Sequence, residues 1–176
     1  YTAYQEYANP AALYHRTLHT KPTVETARLT VAENLGRTPD HTVFTSGGSE
    51  ADNQALLSAA AIGRRKGKMH IISTAFEHHA ILHTLKKLEK EGFQVELLPV
   101  HENGMVSARQ VADTIREDTC LVTVMYANNE IGTIQPSTQL ADVAHKHGAW
   151  MHTDAVPAAG ATPAAVKELG ADMLSM

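Results

Sequence analysis

Four short polar segments of this chain carry side chains with chemical capability, and each follows an apolar run. The first is Thr45-Ser46-Gly47-Gly48-Ser49-Glu50. Glycines let an anion approach the backbone closely, and a helix starting here presents free N–H groups and a favourable dipole. Gly48 and Ser49 are therefore the candidates to hold a phosphate. An ordinary helix cap with Ser46 or Ser49 as the capping residue accounts for the same letters. The second segment is Phe76-Glu77-His78-His79. His78 could stack on a planar ring or move protons, or be one more surface histidine among the 11 in the chain. The third, Asn128-Asn129-Glu130-Ile131-Gly132, is either an Asn-rich turn or a fixed amide donor aimed at a ligand oxygen. The fourth is Asp154, which ends the run Trp150-Met151-His152-Thr153. A carboxylate at the mouth of a buried strand needs a partner. A pyridinium nitrogen is one, and capping the next segment is the alternative. His79 and His83 stand four apart on a helical stretch, but no third ligand has convincing spacing, so no metal is expected.

These segments need a scaffold that brings them together. Short apolar runs at 43–45, 70–73, 95–100, 121–126, 150–153 and 172–175 read as strands. Amphipathic stretches at 24–35, 50–66, 79–91, 108–116, 138–147 and 163–169 read as helices. Gly92, Gly148 and Gly170 fall just past three of the helices, where a left-handed residue ends a helix. The strand runs are continuous rather than alternating, which suits strands buried on both faces. Strand and helix alternating throughout imply an α/β fold of three layers with a mainly parallel sheet between helices. Such sheets bind ligands beyond the carboxyl ends of their strands. All four polar segments follow strand candidates, so they should converge on one cleft.

The composition narrows the class further. The chain has 176 residues with 43% hydrophobic content, enough for one sizeable core, and a formal net charge of −4. That charge gives no reason to expect nucleic acid or an anionic membrane as a partner. No apolar run is long enough to span a bilayer. Cys120 is the single cysteine, so no internal disulfide forms and a cytoplasmic setting is expected. The chain opens on Tyr1 rather than Met, and residues are expected to precede it.

Taken together, the segments resemble the cysteine desulfurase branch of the fold-type I, class V aminotransferase-like enzymes. The resemblance begins near Asn9-Pro10 and runs through Phe44-Thr45-Ser46-Gly47-Gly48-Ser49-Glu50-Ala51-Asp52-Asn53 and Glu77-His78-His79-Ala80-Ile81. Asn128-Asn129-Glu130-Ile131-Gly132 and His152-Thr153-Asp154-Ala155 match that branch letter for letter. The resemblance implies pyridoxal 5'-phosphate as cofactor. Gly48 and Ser49 would hold its phosphate, Ser49 standing where the family usually has Thr. His78 would stack on the ring and serve in proton transfer. Asn129 would hydrogen-bond near the ring hydroxyl or the substrate, and Asp154 would pair with the pyridine nitrogen. It further implies that L-cysteine is converted to alanine and that sulfur passes through an enzyme cysteine to an acceptor protein, for iron–sulfur cluster or thiolated cofactor assembly. A homodimer is implied as well.

Three departures from the family pattern stand out. The chain ends at Met176, ahead of the family's Ser-x-His-Lys. Residues 1–176 are thus expected to be part of a cofactor-binding large domain, inactive alone for want of that lysine. Cys120 starts a strand run and reads as core rather than as the sulfur-accepting cysteine. Pro157 stands where most members carry a Gln that contacts the ring oxygen, and proline has no N–H to donate. Two other readings remain open at this level: a selenocysteine lyase or other class V lyase, and a catalytically dead relative acting as a binding or scaffold protein. A generic nucleotide-binding module is disfavoured, because no phosphate fingerprint matches.

Overall fold

A computed structural model describes residues 17–128, 130–158 and 166–176. The chain divides into two units, Tyr1–Phe44 and Thr45–Met176.

In the first unit, helix α1 spans Thr17–Asn34, with Pro22 inside it. The predicted helix starts only at residue 24, because proline removes a helical donor. The structure carries the helix through that one lost bond. A short 3₁₀ turn follows at Pro39–His41. Arg28 organises this unit. Its guanidinium pairs with Glu25 at 3.4 Å, donates to the Thr42 carbonyl and lies 4.9 Å from the centre of the Phe44 ring. The strand expected at 43–45 does not form, and Val43 and Phe44 are exposed. Three residues have too few backbone bonds to make a strand without a neighbour, and none of the three pairs in a sheet.

The second unit holds the predicted parallel sheet. Strands β1 (His70–Thr74), β2 (Gln94–Leu98), β3 (Thr119–Thr123), β4 (Trp150–Asp154) and β5 (Met173–Ser175) all pair in parallel, in the order β2-β1-β3-β4-β5. The helices are α2 (Gly48–Arg65), α3 (His79–Lys90), α4 (Ala108–Thr114), α5 (Ser137–Lys146) and α6 (Val166–Leu169). α2 packs on α3 and on β3 to β5, while α5 packs on α4, α6, β3 and β4. β1 and β3 are buried along their whole length, their polar ends included, as strands between two helical layers are. β2 is the edge strand and leaves Leu97 exposed. The core beneath α2 and α3 gathers Leu56, Ile71, Ile81, Leu85, Leu88 and Leu121, each worth about 1.5–3 kcal/mol of burial. Gly92, Gly148 and Gly170 all take positive φ just past α3, α5 and α6, as their positions predict.

The strand order sets the location of the site. The chain leaves β1 toward β2 on one side, then crosses back to β3 on the other. The β1/β3 boundary is therefore the switch point of the sheet, the place at the carboxyl edge where such folds form their ligand crevice. Glu77 and His78 follow β1, and Asn128 and Asn129 follow β3.

Candidate active site

The N-terminus of α2 forms one wall. Its capping residue is Gly47, with no side-chain cap, so neither Ser46 nor Ser49 caps the helix as the bland reading of the sequence supposed. Glu50 accepts from the Ser46 N–H, and hydrogen bonding from the Ser46 hydroxyl and then its N–H holds the Glu50 carboxyl below the usual range. Among the described residues, no hydrogen bond engages the N–H of Gly48 or Ser49 or the Ser49 hydroxyl. These donors, with the helix dipole behind them, make an anion cradle. The cradle is tight. A Cβ placed on Gly48 would lie 2.5 Å from Val156 Cγ2, so only glycine fits against the turn that follows β4.

That turn, the 3₁₀ segment Val156–Ala158, is fastened by Asp154. Asp154 is buried, and its Oδ1 accepts from the Val156 N–H at 2.9 Å. The capping role and the site role thus coexist, because Oδ2 has no hydrogen bond among the described residues. Burial raises the Asp154 carboxyl above the ordinary range, while the Val156 bond and the nearby His78 imidazole pull it back. His78 caps α3, its Nδ1 accepting from the Ala80 N–H at 3.2 Å. That bond places the proton of the neutral ring on Nε2. Gly48 thus adjoins Val156, whose N–H holds Asp154, and the His78 imidazole lies near enough to act on the Asp154 carboxyl. Asn129 lies outside the described residues. Its neighbour Asn128 shapes the turn, with Oδ1 accepting from Glu130 and Ile131 N–H at 2.9 and 3.1 Å and Nδ2 donating to Phe76 O at 3.2 Å.

Behind these groups lie three that sequence reasoning did not assign. Asp52, one turn into α2, is buried, and burial together with the Asp154 charge raises its carboxyl to about 7. Its Oδ1 has no hydrogen-bond partner and sits 3.8 Å from His152 Nε2. His152 is fully enclosed, and burial pushes its imidazole down to about 3, so it is neutral. It bridges Thr123 Oγ1 at 2.8 Å and Ser175 Oγ at 3.0 Å. Glu77 is also buried, and loss of solvent raises its carboxyl to about 8. For His152 the signal was a polar letter inside the run Trp150-Met151-His152-Thr153, which is costly to bury unless bonded, whereas Asp52 and Glu77 sit in largely polar stretches.

Other expectations resolve plainly. Cys120 is buried, its Sγ 3.3 Å from the His70 carbonyl, and burial pushes the thiol up to about 11. It is core, as the sequence suggested. His79 and His83 lie with ring centres 5.9 Å apart on α3. Pro157 sits exposed in the 3₁₀ turn. No helix among the described residues is long and apolar enough to cross a membrane.

The family model for class-V aminotransferases matches residues 1–176. This chain belongs to that family. Among curated relatives, a putative cysteine desulfurase IscS 1 of Bacillus subtilis is 44% identical over 170 residues, covering 97% of this chain and 45% of the relative. A cysteine desulfurase IscS of Clostridium botulinum is 46% identical over 172 residues, covering 98% and 43%. Among solved structures, a NifS-like protein superposes with a TM-score of 0.91 at 35% identity, over 97% of this chain and 47% of that one. SspA, solved in complex with cysteine, gives 0.90 at 36%, over 97% and 49%. The chain thus spans less than half the length of these relatives, and its fold is that of class-V members known as cysteine desulfurases.

Proposed function

We propose that the whole protein is a pyridoxal 5'-phosphate-dependent cysteine desulfurase. It would convert L-cysteine to L-alanine and pass the sulfur through an enzyme cysteine to an acceptor protein, for iron–sulfur cluster or thiolated cofactor assembly. Residues 1–176 would form part of its cofactor-binding large domain, and the protein would work as a homodimer. The observation that carries this reading is the contact of Val156 with both Gly48 and Asp154. It ties a free helix N-terminus to a buried carboxylate, one suited to the phosphate and the other to the ring nitrogen of a single planar cofactor.

The residues present fit that cofactor. Gly48 and Ser49 would take the phosphate on their N–H groups and the Ser49 hydroxyl. Asp154 would use its free oxygen to hold a proton on the ring nitrogen, in surroundings whose low dielectric strengthens such a pair. His78 would cover the ring, with Nδ1 occupied by Ala80 and Nε2 left to carry or relay a proton. Asn129 would hydrogen-bond near the ring hydroxyl or the substrate. Pyridoxal phosphate supplies an electron sink for bonds broken at the substrate's α-carbon. Cys120 is unsuited to accept sulfur, because its buried thiol holds almost no thiolate at neutral pH. The accepting cysteine is proposed to lie elsewhere in the whole protein.

The test is to incubate the full-length protein with pyridoxal phosphate, L-cysteine and a thiol reductant, and to measure alanine and sulfide together. Equal amounts of both support desulfuration. Faster turnover of selenocysteine with little of cysteine would redirect the reading to a selenocysteine lyase. Cofactor binding without alanine from either substrate would favour a scaffold role.

A further inference from the structure

The backbone at the β1/β3 crevice has a gap that a side chain fills. Beyond β3, the N–H groups of Val124 and Tyr126 point to β4 and donate to His152 O at 3.2 Å and Asp154 O at 2.8 Å. Alternation along an extended strand aims the Met125 N–H the other way, toward β1. β1 has already ended at Thr74, so no strand carbonyl is there to receive it. Glu77 Oε1 receives it instead, at 3.0 Å, and the same oxygen accepts from the Thr74 hydroxyl. A side-chain oxygen thus replaces a missing rung of the ladder.

We propose that Glu77 is a positioning residue for His78, its Oε1 pinning the turn after β1 to the backbone beyond β3 so that the imidazole is held over the crevice. The inference rests on the reading that His78 covers a cofactor ring there. Phe76, on the other side of Glu77, is tied to the same loop through Asn128. The turn is therefore clamped at both of the residues that precede His78.

Two donors converge on Oε1, Oε2 is buried with no partner, and the loss of solvent outweighs those bonds and raises the carboxyl to about 8, favouring the neutral acid at pH 7. The charged groups facing it are Asp154 from β4 and Asp52 from α2, both acids that disfavour a further negative charge. Glutamine reproduces the two accepted bonds and the neutral charge, whereas alanine removes both bonds.

The experiment uses the full-length protein stripped of cofactor, as wild type, E77A, E77Q, H78A and E77A/H78A. Two readouts are taken: the dissociation constant for pyridoxal phosphate by absorbance titration, and the ¹⁵N signals of the His78 ring. E77A should weaken cofactor binding by about 10-fold, equivalent to 1.4 kcal/mol, because the turn that holds His78 loses both bonds that fix it through Glu77. In the H78A background the same change should have little further effect, because coupled residues are non-additive. E77Q should restore both the affinity and the wild-type ring signals, in which Nδ1 is the unprotonated nitrogen. If E77A folds poorly, T74V removes one of the two donors to Oε1 and should shift the His78 signals in the same direction. Additive losses in the double variant would overturn the proposal, since Glu77 would then act on the fold at large. Unchanged affinity and ring signals in E77A would also overturn it. A wild type that binds no cofactor would sink the desulfurase reading instead, and the ring signals alone would then decide the role of Glu77.

Discussion

Replacing Gly48 by alanine tests whether the wall between the helix N-terminus and Asp154 is as tight as the geometry says. The added methyl would meet Val156 Cγ2 at 2.5 Å and Cγ1 at 3.2 Å, where ordinary contact begins near 3.4 Å. Val156 has to give way by nearly an ångström at its closest atom, and a β-branched side chain has few rotamers in which to do so. Overpacking of this kind costs about 1–3 kcal/mol. Alanine returns about 0.4–1 kcal/mol by restricting the unfolded chain. The net loss should be about 1–2 kcal/mol, read by urea titration of the full-length protein. The displacement reaches the chemistry, because the Val156 N–H is the group that fixes Asp154 Oδ1. Cofactor affinity should therefore fall by about 10-fold, equivalent to 1.4 kcal/mol. Truncating Val156 to alanine makes room, so G48A/V156A should recover stability and affinity relative to G48A. A G48A protein as stable as wild type, or a double variant no better than G48A, would refute this account of the wall.

Asp154→Asn should leave the fold intact, since the amide oxygen can still accept from Val156 N–H, while cofactor binding falls at least 10-fold and alanine production falls further; equal affinity would show that Asp154 does not meet the ring nitrogen. Glu77 keeps its proton in the folded protein up to about pH 8, whereas an unfolded chain loses it near 4.5. The folded state then binds more protons across that window, so stability drains away as pH rises through it, and E77Q should gain on wild type by on the order of 3–5 kcal/mol between pH 4.5 and 8 and by no more above. His152 has the opposite sign: the unfolded chain takes a proton near 6.5 that the folded one refuses until about 3, so stability falls as pH drops below 6.5 and H152Q should flatten that limb of a pH–stability curve. Cys120 should resist alkylation by iodoacetamide in the native protein at pH 8 and react once urea unfolds it, and labelling of the native state would contradict its burial.

The parts of this molecule that sequence patterns reveal are those governed by local rules. β1 and β3 were legible because each carries a short apolar centre, Ile71-Ile72 and Leu121-Val122, and the ends of α3 and α5 were legible because Gly92 and Gly148 supply a backbone conformation other residues avoid. Residues 43–45 misled because three apolar letters fit a strand as well as a loop, and only the absence of a paired neighbour decides. Ser46 and Ser49 misled because capping preference is statistical, whereas here Gly47 is the capping residue and the first-turn donors stay free of side-chain caps. Asp52 and Glu77 were hidden for another reason. Each is polar beside a motif already read as polar, and nothing local tells which of two adjacent polar residues turns inward.

A single physical demand explains why the chemistry gathers at this edge. A parallel sheet satisfies its backbone only as far as its strands run together, and at the carboxyl ends N–H groups are left without strand partners. Buried donors must still be met, so side chains supply the acceptors. Asp154 Oδ1 takes Val156 N–H and Glu77 Oε1 takes Met125 N–H, and His78 Nδ1 does the same for the Ala80 N–H in the first turn of α3. Each of these groups has two polar atoms and gives one to the backbone. The backbone bond fixes where the other atom sits and, for the imidazole, which nitrogen carries the proton. For Asp154 and His78 the second atom is the one the proposed chemistry needs, held in place by a bond that serves the fold. The site and the termination of the sheet are in this sense one structure, and a substitution that removes the backbone bond should disturb the chemistry even when the second atom is never touched.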